Sequence, residues 1–378
     1  MPRYRNVALL LIFALIVAAG LAEAKPPADK PGGGPPEGGK KEEPVDHTAR
    51  QERPIQLGVS GGSVTDLANG YCCSGTLGAL VQDSLGTQHV LSNTHVFAGD
   101  SVAGGNGVVA EAGDPINQPG YVDVQCQNIL DDYVAGLSDW VELAPGGTSL
   151  VDAAVAEAVP GAVDAEGRIL EIGAISSDTV PAALNMAVKK SGRTSGLTKG
   201  KVSALNATVS VQYSNECAGG SFVTTFTGQI LVSPGNKFLK PGDSGSLMVE
   251  DEKVNPRAVG LLYAGSSRVA VANPIDDVLT ALGVSMVGVP ASASGTSGDA
   301  SAPKGLAKAS EAKAKNAQRL MQVPGAVGHA VGLSSRGKPG VVVKVLVKEI
   351  TPQAQSNTPA ELDGVPVELM EVGEIVAY

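Results

Sequence analysis

The feature that most constrains the fold is a succession of short apolar or alternating runs between residues 54 and 290. Clusters of Gly, Pro, Asn and Asp separate these runs and leave no room between them for long helices. Strands of about four to eight residues bounded by such turn formers are typical of all-β barrels and sandwiches. The clearest strand candidates are Gly75 to Val81, His89 to Ser92, Val202 to Val211, Val223 to Val232 and Ala258 to Tyr263. We therefore predict a mainly β domain over residues 54–290.

The amino-terminal residues predict export. Arg3 and Arg5 precede an apolar run from Val7 to Leu21, and Ala22-Glu23-Ala24 places small residues two apart, as in a signal-peptide cleavage site. The run is shorter than the roughly 20 residues needed to span a bilayer, so a retained anchor is the weaker alternative. We predict a signal peptide over 1–24, a secreted or periplasmic protein, and no membrane association after its removal.

Two further segments of low complexity divide the chain. Residues 25–53 are rich in Pro, Gly, Lys and Glu without apolar periodicity, which predicts a disordered leader that could be a removable propeptide. Residues 291–304, rich in Ala, Ser and Gly, predict a linker.

The residues after the linker predict a small α+β accessory domain over 305–378. Leu306 to Gln322 has no Gly or Pro and favours a helix, and the runs Val327 to Leu333, Val341 to Val347 and Val365 to Val372 favour strands. The helix carries three lysines, Lys308, Lys313 and Lys315, which could bind an acidic surface or simply form a solvated helix face. The sequence identifies no partner for the domain.

Cysteine content and charge narrow the partners further. The chain has four cysteines, which predict two disulfides in an exported protein: Cys72, Cys73, Cys126 and Cys217. The neighbours Cys72 and Cys73 are not expected to bond to each other, so one pairs with Cys126 and the other with Cys217, in an order that the sequence does not give. A zinc site is the alternative, but the chain has no Cys-x-x-Cys pair, and we predict neither a metal nor a cofactor. The net charge of -10 argues against a nucleic-acid partner, whose phosphates must be neutralised.

One short motif suggests covalent hydrolytic chemistry. In Gly242-Asp243-Ser244-Gly245-Ser246 a serine lies between glycines and ahead of the apolar run Leu247-Met248-Val249. Such a turn can expose a nucleophile and leave backbone N–H groups free for an oxyanion. The alternative is an ordinary glycine-rich turn before a strand.

A serine nucleophile needs an imidazole base, and the chain has four histidines. His47 lies in the leader and His329 in the terminal domain, whereas His89 lies within a strand and fits packing better. His95 follows an apolar run at the start of a loop, where a strand could deliver it to a cleft.

The imidazole in turn needs a carboxylate that orients it. Asp152 precedes Ala153-Ala154-Val155-Ala156 and would enter a dry interior, where an acid requires a partner. Four other acids lie in polar or turn-like stretches and are expected to be surface charges or loop caps: Asp123, Asp131, Asp132 and Asp139.

These residues together resemble a known family. The order His95, Asp152, Ser244, with separations of 57 and 92 residues, resembles the chymotrypsin-like (trypsin-like) serine proteases. The motifs are closest to a divergent bacterial group, and the resemblance covers roughly residues 54–285. They are Gly75-Thr76-Leu77-Gly78, Leu91-Ser92-Asn93-Thr94-His95-Val96, Gly113-Asp114-Pro115, Gln118-Pro119-Gly120, Val151-Asp152-Ala153-Ala154, Arg193 to Gly200 and Ala272-Asn273-Pro274-Ile275. The resemblance implies two six-stranded antiparallel β-barrels with the site between them.

The same resemblance implies a role for each site residue. Ser244 would be the nucleophile, His95 the general base and then acid, and Asp152 its orienting carboxylate. The N–H groups of Gly242 and Ser244 would form the oxyanion hole. Asp243 would be a buried structural carboxylate, for which the sequence identifies no cationic partner. The implied function is a secreted serine endopeptidase acting on peptides or proteins through an acyl-enzyme.

The resemblance also implies a substrate preference. Phe238 occupies the position where trypsin-like members carry an acid, so cleavage after Lys or Arg is disfavoured. Tyr263, Ala264 and Gly265 resemble the strand that lines the primary specificity pocket, which predicts small or apolar side chains before the cleaved bond. Arg268 is expected on the surface, although an inward Arg268 would favour an acidic side chain.

Departures from the family pattern keep alternatives open. No cysteine flanks His95, and Ser246 replaces the last glycine of the nucleophile motif. One alternative is a catalytically inactive homologue that binds peptides or proteins, and a related one is a secreted adhesion or scaffold protein. A minor alternative is an esterase using Ser60, Asp152 and His329, whose Gly58-Val59-Ser60-Gly61-Gly62 resembles a hydrolase elbow but lacks a following helical pattern.

Overall fold

The computed structural model describes residues 45–65, 72–99, 109–127, 129–143, 145–214, 221–290, 303–336 and 340–378. Several predictions fall outside these ranges and are not tested by them. They are the signal peptide over 1–24, the leader up to residue 44, the linker up to residue 302, and Cys217.

The described residues are mainly β, as predicted. The strands are β1 Val59–Ser63, β2 Gly75–Leu77, β3 Ala79–Gln82, β4 Gln88–Ser92, β5 Pro115–Asn117, β6 Tyr133–Trp140, β7 Thr148–Ser149, β8 Ala154–Ala158, β9 Ala187–Lys190, β10 Thr198–Tyr213, β11 Phe222–Ser233, β12 Leu247–Glu250, β13 Ala258–Gly265, β14 Ala270–Pro274, β15 Ser285–Met286, β16 Ala326–Leu333, β17 Val341–Val347, β18 Glu361–Leu362, β19 Val365–Glu371 and β20 Val376–Ala377. The helices are α1 Thr94–Phe97, α2 Gly235–Phe238, α3 Ile275–Leu282, α4 Leu306–Lys315, α5 Ala317–Met321 and α6 Pro352–Asn357.

The first half of the domain forms one curled antiparallel sheet. Its strand order is β15-β3-β4-β8-β6-β5-β1-β2. Strand β2, at one edge of the sheet, is separated from β3, near the opposite edge, only by Gly78. The chain therefore passes directly from one edge of the sheet to the other. Leu77, Leu91 and Ala154 are fully buried between the strands. The strands of this sheet therefore contribute to one hydrophobic core.

The second half closes into a six-stranded ring. Strand β10 pairs with β9, and the pairing continues through β12, β13, β14 and β11 back to β10. Helix α3 then packs its buried residues Ile275 and Val278 against the core of the first half. The architecture confirms the predicted mainly β, chymotrypsin-like fold class with an α+β region at its carboxyl end.

The carboxyl-terminal region has the predicted helix and strands, but its sheet is not separate. Strand β16 pairs antiparallel with β10, and β17 and β19 extend the same sheet outward. The predicted helix over Leu306 to Gln322 is interrupted at Asn316 and forms α4 and α5. A sixteen-residue β10 makes this continuity possible, because it is long enough to pair with both the second barrel and the terminal strands.

The end of the predicted leader differs from expectation. His47 is only 5% exposed, and its Nδ1 lies 2.7 Å from Gly58 O and its Nε2 2.7 Å from Glu171 Oε2. Arg50 donates to the buried Asp132 carboxylate at 2.5 and 2.7 Å, so Asp132 is not the surface acid that we expected. Residues 45–53 therefore belong to the folded domain, where paired charges offset the cost of burial.

Candidate active site

The two predicted site residues His95 and Asp152 lie together between the two halves of the domain. His95 belongs to α1, directly after β4, and Asp152 directly precedes β8, which pairs with β4. His95 Nδ1 lies 2.5 Å from Asp152 Oδ2, and the two side chains are 7% and 0% exposed. Antiparallel pairing of β4 with β8 thus brings together residues 57 positions apart.

A tyrosine that sequence reasoning missed also binds the same carboxylate. Tyr213 Oη, at the end of β10, donates to Asp152 Oδ2 at 2.8 Å. Burial, reinforced by the Asp152 charge, raises the pKa of Tyr213 well above its usual value, so its proton is retained at neutral pH. The only sequence signal for Tyr213 is its inward position in the alternating pattern of β10.

Two asparagines fix the backbone of Asp152. Asn93 Nδ2 donates to Asp152 O at 2.7 Å, and Asn273 Nδ2 donates to the same oxygen at 3.1 Å. Asn273 Oδ1 in turn accepts from Asp152 N at 3.2 Å. Because Asn273 comes from β14 of the second half, the backbone of Asp152 is held from both halves of the domain.

Ser244 lies on a tight turn between the halves. Gly242 and Gly245 have φ values of +92° and +91°, a region in which a side chain is strained. A Cβ on Gly245 would lie 2.2 Å from Ser92 Oγ, and one on Gly242 would lie 2.5 Å from Thr194 Oγ1. Both glycines of the motif are therefore required by backbone conformation and by close packing.

The backbone of this turn leaves two donors available. Asp243 N, Gly245 N and Ser246 N donate to carbonyl oxygens of the protein. The N–H groups of Gly242 and Ser244 have no hydrogen-bond acceptor within the described parts of the chain. These are the two groups that the resemblance assigns to an oxyanion hole.

Asp243 has the cationic partner that sequence reasoning did not identify. Lys190 Nζ, on β9, lies 3.0 Å from Asp243 Oδ2, and both side chains are 0% exposed. The carboxylate also accepts from Thr194 N at 2.8 Å, Ser195 Oγ at 2.5 Å and Lys240 N at 2.9 Å. Burial lowers the pKa of Lys190, and the Asp243 charge opposes that shift. The available sequence signal was the pair Lys189-Lys190 at the end of a short strand.

The predicted specificity residues are buried, but Phe238 belongs to a different apolar cluster from Tyr263 and Ala264. Tyr263, Ala264 and Gly265 end β13 and are buried, and Phe238 is fully buried in the apolar core of the second barrel. Ser244 Oγ donates to Tyr263 O at 3.0 Å. Arg268 lies outside this region: its side chain is 60% exposed and forms an ion pair with Glu371 at 2.6 Å.

The carboxyl-terminal residues also reach this site. Strand β20 pairs antiparallel with β13, with Ala377 opposite Ala264 and Val376 opposite Gly265. Tyr378 N donates to Tyr263 O at 3.3 Å, and His95 Nε2 lies 3.1 Å from Tyr378 O. Tyr378 therefore contacts His95 and donates to the same carbonyl oxygen as Ser244.

The residues of the esterase alternative are not brought together. Ser60 Oγ donates to Asp123, and Asp123 forms an ion pair with Arg193. His329 lies in β16 opposite Thr208 and Val345, and burial together with the Lys313 charge lowers its pKa to about 4. Asp152 contacts His95 and Tyr213 instead.

A disulfide closes the loop between β1 and β2 onto the segment after β5. It joins Cys72 to Cys126, which is one of the two pairings left open by the sequence. Cys73 is also disulfide-bonded. In the described ranges no group of three or more His, Cys, Asp and Glu side chains could hold a metal ion. None of the described helices is long and apolar enough to cross a membrane.

Comparison with known proteins gives one family and several structures. Residues 149–273 match a family model described as the Nal1 C-terminal domain. A glutamic-acid-specific serine protease is 17% identical, with a TM-score of 0.42, over 61% of this chain and all of its own. Thermobifida fusca protease A is 16% identical, with a TM-score of 0.39, over 62% of this chain and 98% of its own. Nocardiopsis protease is 16% identical, with a TM-score of 0.40, over 61% of this chain and 98% of its own. No curated protein matches the sequence.

Proposed function

We propose that this chain is a serine endopeptidase that cleaves peptide bonds through Ser244, His95 and Asp152. The observation that carries the proposal is the buried 2.5 Å contact between His95 Nδ1 and Asp152 Oδ2, beside a serine on a turn with two available N–H donors. Few other functions require a buried carboxylate paired with an imidazole, together with a serine on a turn that has available N–H donors.

The proposed reaction assigns one step to each group. Ser244 Oγ attacks the carbonyl carbon of the substrate while His95 Nε2 accepts the hydroxyl proton, and Asp152 stabilises the resulting imidazolium. The N–H groups of Gly242 and Ser244 bind the oxyanion that develops on the carbonyl oxygen. His95 then donates its proton to the leaving amine, and water hydrolyses the acyl-enzyme by the same steps.

The Lys190–Asp243 pair supports a turn that forms without prior cleavage of the chain. Both charges come from inside the domain, and four further donors complete the Asp243 carboxylate. A buried carboxylate without a cation would be strongly destabilising. We therefore propose that the oxyanion donors are positioned as soon as the domain folds.

The proposed site takes an apolar side chain before the cleaved bond, in a secreted or periplasmic protein. The wall formed by Tyr263, Ala264 and Gly265 carries no charge at neutral pH, because burial raises the pKa of Tyr263 well above its usual value. The buried Phe238 is apolar as well. The disulfide between Cys72 and Cys126 supports an oxidising compartment.

Active-site labelling tests the function directly. The folded chain, with and without residues 376–378, is incubated with a fluorescent aryl phosphonate, and the modified residue is mapped by mass spectrometry. We expect labelling at Ser244 and its loss in Ser244→Ala and His95→Ala, with casein cleavage lost in parallel. Ser60→Ala and His329→Ala serve as controls and should retain both activities. Failure of the folded chain without residues 376–378 to label at Ser244 and to cleave casein would contradict the protease proposal and favour a peptide-binding module.

A further inference from the structure

The last three residues lie where an extended peptide would add to the edge of β13. Ala377 and Val376 pair antiparallel with Ala264 and Gly265, and Tyr378 N donates to Tyr263 O at 3.3 Å. Addition of a strand to an exposed sheet edge is a general mode of peptide recognition, in which backbone hydrogen bonds provide affinity and side-chain pockets provide specificity. Here the added strand belongs to the same chain.

The side chain of Tyr378 lies against the proposed specificity wall. A Cβ on Gly265 would lie 3.2 Å from Tyr378 Cε2, so the ring covers that glycine. The ring also packs against the apolar cluster that contains Phe238. Burial raises the pKa of the Tyr378 phenol. An aromatic side chain thus fills the place for which the sequence predicted an apolar one.

The backbone of Tyr378 contacts His95 directly and shares a hydrogen-bond acceptor with Ser244. Its carbonyl oxygen lies 3.1 Å from His95 Nε2, the atom that would accept the proton of Ser244. Tyr263 O accepts from both Ser244 Oγ and Tyr378 N, so the serine hydroxyl proton points away from the imidazole. With Tyr378 in place, its carbonyl oxygen already occupies the position beside His95 Nε2, and its N–H already occupies the Tyr263 carbonyl.

The residues that precede β20 hold it in the cleft. Val372 and Ile375 are 0% and 2% exposed and belong to the core that contains Tyr213 and Tyr263. Ser266 Oγ donates to Val372 O, and Gln212 N donates to Ile375 O at 3.0 Å. A segment tethered this closely has a high effective concentration at the site, in the millimolar range or above.

We propose that residues 376–378 act as a built-in competitive inhibitor that occupies the substrate-binding strand position. The same contacts assign the substrate class: peptides with an aromatic residue before the cleaved bond and small or β-branched residues before that. The substrate assignment rests on the proposed endopeptidase function, whereas occupancy of the cleft does not. Displacement or removal of the strand is therefore required for full access to Ser244.

Peptide binding tests occupancy independently of catalysis. The probe is a fluorescein-labelled Ile-Val-Ala-Tyr peptide, which carries the sequence of residues 375–378, and binding is followed by anisotropy. We expect the variant without residues 376–378 to bind it at least about tenfold more tightly than the full chain. Tyr378→Ala should also open the site, whereas Tyr378→Phe should keep it closed. Equal binding by the full chain and the truncated variant, or no binding by a truncated variant with an intact unfolding transition, would overturn the proposal.

A hydrolysis assay distinguishes failure of the proposed inhibition from failure of the proposed protease function. With an Ile-Val-Ala-Tyr anilide as substrate, truncation should raise kcat/KM by about tenfold or more, mainly through a lower KM. Glu374→Gln is the matched control, because Glu374 is exposed and its carboxylate pairs with the exposed Lys348, and it should change neither readout. If the truncated variant binds the peptide but neither cleaves it nor labels at Ser244, the protease function fails while occupancy of the cleft stands. A truncated variant that cleaves the anilide no faster than the full chain would overturn inhibition.

Discussion

The buried pair of Lys190 and Asp243 gives the sharpest prediction about the nucleophile turn. Lys190→Met removes the cation but keeps the length of the side chain, and leaves Asp243 with three backbone N–H donors and the Ser195 hydroxyl. Removing one partner of a buried ion pair costs about 3–5 kcal/mol. Because those four donors remain, we expect a loss near the lower end, about 3 kcal/mol. A shift of the turn that displaces one oxyanion donor would also lower kcat by about 100-fold or more.

Lys189→Met is the matched control. Lys189 is the preceding residue of β9, is 7% exposed, and donates from Nζ to Glu252 O at 2.5 Å, away from the turn. Urea unfolding gives the change in stability, and anilide hydrolysis in the variant without residues 376–378 gives the change in kcat. A loss of stability in Lys190→Met no larger than in Lys189→Met, or a loss of stability with kcat unchanged, would contradict this role of Lys190.

Three further predictions follow from single residues. Tyr213→Phe removes a hydrogen bond to the Asp152 carboxylate and should lower kcat by about tenfold, since a bond to a charged group contributes about 1.5–3 kcal/mol, with KM unchanged in anilide assays. Lys313→Met should raise the free energy of unfolding at pH 7 by about 1–3 kcal/mol, because burial lowers the lysine pKa to about 8; a loss of stability in urea would contradict this. Burial raises the Glu368 pKa, but hydrogen bonds outweigh it and lower the pKa to about 2. Stability from Glu368 is therefore present above pH 4.5 and lost as the pH falls towards 2, and Glu368→Gln should flatten that part of an acid unfolding curve.

The local sequence pattern was sufficient to predict most of the secondary structure. The run from Val341 to Val347 coincides with β17, and the run from Val223 to Val232 lies within β11, which extends beyond it only at the ends. These segments were predictable because each is an apolar or partly alternating run bounded by turn residues. Asn316 ended α4 earlier than expected, because its side-chain Nδ2 donates to Ala312 O and competes with the helical backbone.

The residues missed at the site share one property: their significance depends on contacts made across the sheet. Lys190 and Tyr213 lie at ordinary strand positions, and nothing within a few residues of either marks its partner. Lys190 meets Asp243 because β9 pairs with β12, directly after the turn. Strand pairing, and not local sequence, selects which charge is neutralised.

The position of the carboxyl-terminal strand illustrates why such a contact escapes sequence reasoning. Tyr378 O and His95 Nε2 are 283 residues apart in sequence, and β20 has only two residues, too few for any alternation. Its placement follows from three earlier pairings: β16 adds to β10, β17 and β19 extend that sheet, and the chain then returns between β10 and β13. An error in any one of them would place Tyr378 elsewhere. Because the same strands hold both Tyr213 and the end of the chain, substitutions that loosen the pairing of β10 with β16 should affect access to the cleft and support of Asp152 together.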